Sequence, residues 1–245
     1  MNRDARSPTD RLKGELWRRF GSDEYPAEWD GKVYGGGKLS QRFWEYFKAI
    51  EFLELQTDSV VLDIGGGSPV TGLGFFSSLI ATSAKQIIVM DPNVSNEHSL
   101  PRNVQVLRES SGYQSLSAAF ERFPELSHVT SISVFEHIPP DVRVGIMRAI
   151  NENFPGDRFV LTLEFHPTRC YFEHQLTERS LSDLVMPLTS FYPAAYEASP
   201  VHGATAVTDM RQGFRGRAKR LVSRVTGAVP RWYPLALAFQ RRVAQ

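Results

Sequence analysis

The sequence predicts an α/β protein with a doubly wound parallel sheet and helices on both faces. Three observations predict it. Five short strand-like runs recur through the middle of the chain, and the first, Ser59–Ile64, is apolar without alternation, as strands buried on both faces are. Segments with helical spacing or helical length separate them. The first run leads directly into three consecutive glycines, the punctuation of a tight strand-to-helix turn.

The elements follow in order. Residues 1–38 form a polar and aromatic arm ending in Tyr34-Gly35-Gly36-Gly37-Lys38, flexible enough for a hinge. Residues 39–195 read as the core. There the spacing of Phe43, Phe47, Ile50 and Leu53 predicts a helix over Leu39–Leu53, capped by Ser40. Ser59–Ile64 is the first strand, and a helix is expected over Leu73–Ala84. Gln86–Met90 is the second strand, closed by Asp91-Pro92, and Val104–Leu107 the third. A helix over Ser115–Phe123 leads to the fourth strand, His128–Val134. A helix over Asp141–Phe154 leads to the fifth, Arg158–Phe165. Right-handed crossovers in such a sheet place ligands at the carboxyl ends of the strands, where the strand order reverses.

Composition narrows the class. The 245 residues are 42% hydrophobic and 22% charged, ordinary for a globular protein. No apolar run approaches the roughly 20 residues of a membrane span. The first twenty residues carry Arg3, Asp4, Arg6, Asp10, Arg11 and Lys13, among other charges, too many for a secretory signal. The single cysteine, Cys170, precludes an internal disulfide and fits a reducing, cytoplasmic setting. The net charge of +1 hides an asymmetry: residues 211–245 hold nine Arg or Lys and no acid, leaving 19 basic and 27 acidic residues elsewhere.

The glycine loop reads Asp63-Ile64-Gly65-Gly66-Gly67-Ser68-Pro69-Val70. A dinucleotide fingerprint would need Gly or Ala where Val70 stands. Pro69 removes an amide donor that a pyrophosphate would use. Asp63, at the end of the strand, would repel a phosphate and suits a cationic ligand. Asp91 lies 24 residues past Gly67, at the end of the second strand, where a carboxylate can accept both ribose hydroxyl protons. S-adenosylmethionine fits this combination, since it carries an ammonium and a sulfonium and no phosphate.

Asp63, Gly65, Gly67 and Asp91, with the fourth-strand segment Ser131-Ile132-Ser133-Val134-Phe135-Glu136-His137-Ile138-Pro139, resemble the class I S-adenosylmethionine-dependent methyltransferase family over roughly residues 40–190. The resemblance implies a Rossmann-like methyltransferase sheet with an N-terminal helical lid. It implies a cofactor site of Asp63, Gly65, Gly66, Gly67, Asp91, Ser110, Ser133 and Phe135. Two departures stand out. His128 replaces an acid before the fourth strand, and Arg108-Glu109-Ser110-Ser111 replaces the Gly-Asp that meets adenine in the family, so Glu109 or Ser110 would take that contact.

Methyl transfer from a sulfonium requires mainly a close, dry acceptor. A hydroxyl acceptor also needs a base, usually histidine. His137, with its neighbour Glu136, follows the fourth strand, and His166 follows the fifth; these are the catalytic candidates. The bland alternative for His137 is a helix-entry residue. Glu173 and His174 fit an acceptor loop or an exposed helix face equally well. No residue spacing matches a metal motif, so no metal is expected.

In the lid, Arg42 or Tyr46 would face the pocket, with Gly35–Gly37 as hinge; an ordinary packed helix is the other reading. Residues 196–245 read as a basic C-terminal segment. Phe214, Ala218, Leu221, Val222 and Val225 share one helical face, and aromatics follow Pro230. Such a helix docks on the acidic body or lies on the anionic inner membrane face. Nucleic-acid binding is disfavoured, because no RNA-binding module precedes the tail and aromatics do not interleave with the basic residues. The segment near Gly36-Lys38-Leu39-Ser40 and the shape of the tail also resemble methyltransferases of bacterial surface-glycan assembly. The resulting expectation is O-methylation of a small-molecule or saccharide hydroxyl. The alternatives are a nucleic-acid methyltransferase guided by the tail and a non-catalytic cofactor-binding partner.

Overall fold

Val60–Ile64 (β1) is buried at every position, which explains its unbroken apolar sequence. Val60, Leu62 and Ile64 face one hydrophobic layer and Val61 the other. The structure, a computed structural model, describes residues 7–21, 41–67, 72–95, 100–165, 176–198, 203–204 and 231–243. β2 (Gln86–Met90) and β4 (His128–Ile132) pair in parallel with the two edges of β1. β3 (Val104–Leu107) flanks β2, and β5 (Arg158–Phe165) flanks β4, both parallel. The expected bounds of β2, β3 and β5 coincide with these strands. β4 ends two residues early, because Ser133 turns into a left-handed backbone at φ 50°.

The helices lie in two layers. α1 (Pro8–Gly21), α2 (Gln41–Leu53) and α3 (Phe75–Ile80) cover one face. α4 (Tyr113–Arg122), α5 (Pro140–Asn153) and α6 (Glu178–Val185) cover the other. In α2 the stripe of Phe43, Tyr46, Ala49, Ile50 and Leu53 is buried. Leu12 and Leu16 of α1, one turn apart, are buried as well. Fully burying a Leu contributes about 1.5–3 kcal/mol. α3 is shorter than expected, since Gly74 begins it and Ala81 ends it.

The sheet extends beyond five strands. β6 (Phe191–Ala198) is an edge strand, and β8 (Arg231–Arg241) inserts between β5 and β6, antiparallel to both, giving the order β3-β2-β1-β4-β5-β8-β6. A two-residue β7 (Gly203–Ala204) pairs with β8. Residues 231–241, grouped by composition with a basic helical tail, are therefore a central strand. Leu235, Leu237 and Phe239 fill one core layer and Ala238 the other. A proline inside a central strand is uncommon. Pro234 is tolerated because β6 pairs with β8 only from Leu235 onward and β7 only at residues 231 and 232, so no ladder on that side needs its amide. The burial of this strand in the sheet leaves only 211–230 for the expected membrane-facing helix, and those residues lie outside the described ones, as does the hinge at residues 35–37. No helix among the described residues is long and apolar enough to cross a membrane.

Phe159 of β5 and Phe239 of β8 are cross-strand partners with ring centroids 5.7 Å apart. Phe239→Ala should cost about 3–5 kcal/mol, measured by urea unfolding. A loss under about 1 kcal/mol would show that this strand does not anchor the core.

Candidate functional site

Strand order reverses between β1 and β4, so a crevice opens beyond their carboxyl ends. There the chain turns at Gly65, whose φ of 73° favours glycine; an added Cβ would stand 2.5 Å from the Val134 side chain. Gly66 has no room for a side chain either, because the Asp63 carboxylate and the Ser77 hydroxyl occupy the position. Its carbonyl accepts from the Gly74 amide at 2.7 Å and from Ser77 Oγ at 2.9 Å. Ser77 Oγ also contacts Asp63 Oδ2 in a short hydrogen bond. β1, the loop and the start of α3 are thus fastened by one serine, which sequence reading missed. A serine early in a helix after a glycine loop gives no distinct signal, because its partner is set by the fold.

Asp63 is buried. Loss of water pushes its pKa up to about 7, the nearby Asp91 charge adds to this, and the Ser77 hydrogen bond opposes it. Asp91, also buried, accepts from the Gly67 amide at 3.2 Å and from the Asn93 amide at 2.8 Å. Asp91 therefore stands directly behind the loop, braced by backbone.

A cleft of about 220 Å³ lies over this loop. Asp63, Gly65, Gly66 and Gly67 form its floor, and Ser133, Val134 and His137 one wall. Arg42 and Tyr46 of α2 close it from above, the positions expected to face the pocket. Tyr46 stacks on Phe75 and Phe76 at 5.4 and 5.5 Å, which ties α2 to α3. Arg42 pairs with Glu45 at 3.0 Å, and Ser133 Oγ donates to Glu45 Oε1 at 2.5 Å. Glu45 is a second residue that sequence reading passed over; a carboxylate among the aromatics of a helix was its only signal.

The other expected residues scatter. Phe135 is buried in the core on the opposite face of the sheet. Ser110 is exposed, and its carbonyl accepts from Ser115 Oγ at 2.9 Å. Neither side chain lines the cleft. Glu109 is likewise exposed. Glu136 is buried beneath the turn Phe135–His137. His166, Glu173 and His174 lie outside the described residues. His128 begins β4 at the far edge of the sheet, buried beside Ser127; burial lowers its pKa. Among the described residues no group of three or more His, Cys, Asp or Glu could hold a metal ion.

A larger hollow of about 450 Å³ lies at the amino-terminal edge of β5, bounded by Arg158, Tyr192 and Arg241. It has neither the glycine loop nor the buried carboxylates. Arg158 is engaged by Glu54 at 2.8 Å, and Arg241 by backbone carbonyls.

No family model and no curated protein sequence matches the chain. Solved structures do. It is similar to a SAM-dependent methyltransferase from Anabaena variabilis ATCC 29413, with TM-score 0.55 and 11% identity over 97% of this chain and 98% of that one. It is similar to the N-methyltransferase NodS from Bradyrhizobium japonicum WM9, in complex with S-adenosyl-L-homocysteine, with TM-score 0.52 and 10% identity over 95% and 99%. It is also similar to a Haemonchus contortus phosphoethanolamine N-methyltransferase in complex with S-adenosylhomocysteine, with TM-score 0.53 and 14% identity over 98% of this chain and 61% of that one. The chain has the fold of the class I S-adenosylmethionine-dependent methyltransferases.

Proposed function

We propose that the protein transfers the methyl group of S-adenosylmethionine to a hydroxyl of a small-molecule or saccharide acceptor. The observation that carries this reading is the cleft at the strand switch, where the buried Asp63 and the side-chainless loop face His137. The cofactor supplies an activated methyl group on a sulfonium. The protein's work is to bind its cationic and sugar parts and to hold the acceptor in line.

Gly65, Gly66 and Gly67 would let backbone approach the cofactor. Asp63 would offer charge to its cationic end. Each Asp91 oxygen receives one backbone amide; its remaining lone pairs would be the ones to accept from a ribose hydroxyl. Ser133, at a strained backbone, fixes one wall of the cleft that would receive the cofactor. α2, through Tyr46, lines the cleft and would help to keep water from a bound acceptor. His137 would take the proton from the acceptor hydroxyl during attack. His166 is a second candidate for that step. The fold likeness, the absence of a pyrophosphate-type loop and the position of His137 support this reading over a nucleotide-dependent dehydrogenase. The saccharide acceptor, the peripheral membrane contact through residues 211–230 and the cytoplasmic setting rest on sequence character alone.

The raised pKa of Asp63 makes cofactor binding pH-dependent. Its folded value of about 7 lies above its ordinary 3.8, so the unliganded protein holds an extra proton between those values. This group's contribution to stability declines as pH rises through that window. A cationic ligand favours the carboxylate, so S-adenosylmethionine affinity should climb between about pH 5.5 and 7.5. Asp63→Asn should bind more weakly and show a flat profile by calorimetry. A wild-type profile that is flat, or that falls, would remove Asp63 from the site.

His137→Ala should lower methyl transfer about 100-fold or more, read with methyl-labelled cofactor and an extract or sugar panel, while cofactor binding persists. Undiminished transfer would exclude His137 as base, and failure of the wild type to bind S-adenosylmethionine would exclude the whole reading.

A further inference from the structure

Among the described residues that line the cleft, one is a carboxylate and one a permanent cation: Asp63 on the floor and Arg42 of α2 above it. The amino-acid end of the cofactor carries the matching pair, an ammonium and a carboxylate. Asp63 answers the ammonium. The carboxylate also leaves water on binding, and it too needs a donor or a positive charge. His137 lines the same cleft, but a base that is to take a proton must itself be neutral. Arg42 is the lining group that suits an anion.

The order of the strands indicates which end of the cofactor reaches Arg42. β1 lies between β2 and β4. Asp91, whose oxygens would take the ribose, directly follows β2. The ribose thus lies toward β2, and the amino-acid end lies across Gly65 and Gly66, toward β4. Arg42 is fastened at that end. Its Nη1 donates to Glu45 Oε2 at 3.0 Å, and Glu45 Oε1 accepts from Ser133 Oγ at 2.5 Å. Ser133 directly follows β4 and lines the cleft. Glu45 therefore ties the arginine, three residues before it on α2, to the β4 wall.

The exposure of the two partners differs in the direction an anion site requires. The Glu45 side chain is 3% exposed and that of Arg42 20%. An anion entering the cleft meets the guanidinium, with the acid behind it. A guanidinium presents five N–H donors in a planar fork, a geometry that can hold one carboxylate on one side and a second on another. Tyr46, on the same helix, stacks on Phe75 and Phe76, which also line the cleft. The helix that carries Arg42 is thereby fixed against α3 as well as against β4.

We infer that Arg42 holds the carboxylate of the cofactor's amino-acid end, opposite the ammonium that Asp63 receives, and so makes the site select the zwitterionic cofactor over its decarboxylated form. The inference rests on the S-adenosylmethionine reading and adds a specificity-determining residue to it. The contact is a charge-assisted hydrogen bond, and no covalent bond changes.

The test titrates the full chain calorimetrically with S-adenosylhomocysteine and with decarboxylated S-adenosylhomocysteine, which keeps the ammonium and lacks only the carboxylate. The wild type should bind the carboxylate form at least about tenfold tighter. Arg42→Gln should erase that preference and leave affinity for the decarboxylated form nearly unchanged. Arg42→Lys, which keeps the charge but loses the fork, should restore part of it. Equal wild-type affinity for the two ligands, or a preference that survives Arg42→Gln, would overturn the inference. Where Arg42→Gln fails to fold, phenylglyoxal modification of the wild type decides instead. At matched saturation, S-adenosylhomocysteine should shield residue 42 and the decarboxylated form should not; equal shielding overturns the inference. Binding of both ligands without preference sinks this assignment alone. A wild type that binds neither sinks the cofactor reading and the assignment with it.

Discussion

The carboxylate of Asp63 lies out of water beneath a loop with no side chains of its own, and the rest of the site is arranged around that contact. A buried carboxylate is costly unless a donor or a positive charge answers it. Ser77 supplies the donor, and the same hydroxyl holds the Gly66 carbonyl. The loop can lie against both groups only because Gly66 has no Cβ. Behind it, Asp91 takes the Gly67 amide, so the ends of β1 and β2 are joined through a carboxylate. Two acids this close repel each other, and that repulsion keeps the floor of the cleft receptive to positive charge.

The two halves of the cleft differ in origin. The floor comes from nearly consecutive residues, 63 to 77. The opposite wall and roof come from α2, the end of β4 and the turn after it, brought together only by the fold. This division explains what could be read from the linear sequence. Asp63, the glycines and Asp91 carry their meaning in their spacing. Glu45 does not, because its partner Ser133 is 88 residues away. Glu136 was visible as an acid beside His137, but its burial emerges only when the chain packs around the turn. Phe135 illustrates the reverse: its neighbours line the cleft, while its own side chain points into the far core layer.

Secondary structure followed the same rule. Strands buried on both faces announce themselves as apolar runs, and β2, β3 and β5 match their expected bounds. β6 hides because it is an edge strand with Pro193 at an irregularity in its pairing and mostly exposed side chains. β8 hides for a different reason. Its alternation of large and small residues, Leu235-Ala236-Leu237-Ala238-Phe239, places bulk toward α5 and α6 and only methyl groups toward α2. Pro234 and the surrounding arginines disguise that pattern as a basic tail.

The placement of β8 also bears on how the molecule assembles. β6 precedes it in the chain, with residues 199–230 between them, yet the two strands are neighbours and β8 separates β6 from β5. During synthesis, β5 and β6 must therefore wait with bare inner edges until the later segment arrives to fill the gap. Unpaired edges invite pairing with the wrong chain. Completion of the sheet is thus a race between intramolecular insertion and association with a neighbour, and a ribosome that pauses within residues 199–230 would lengthen the exposure.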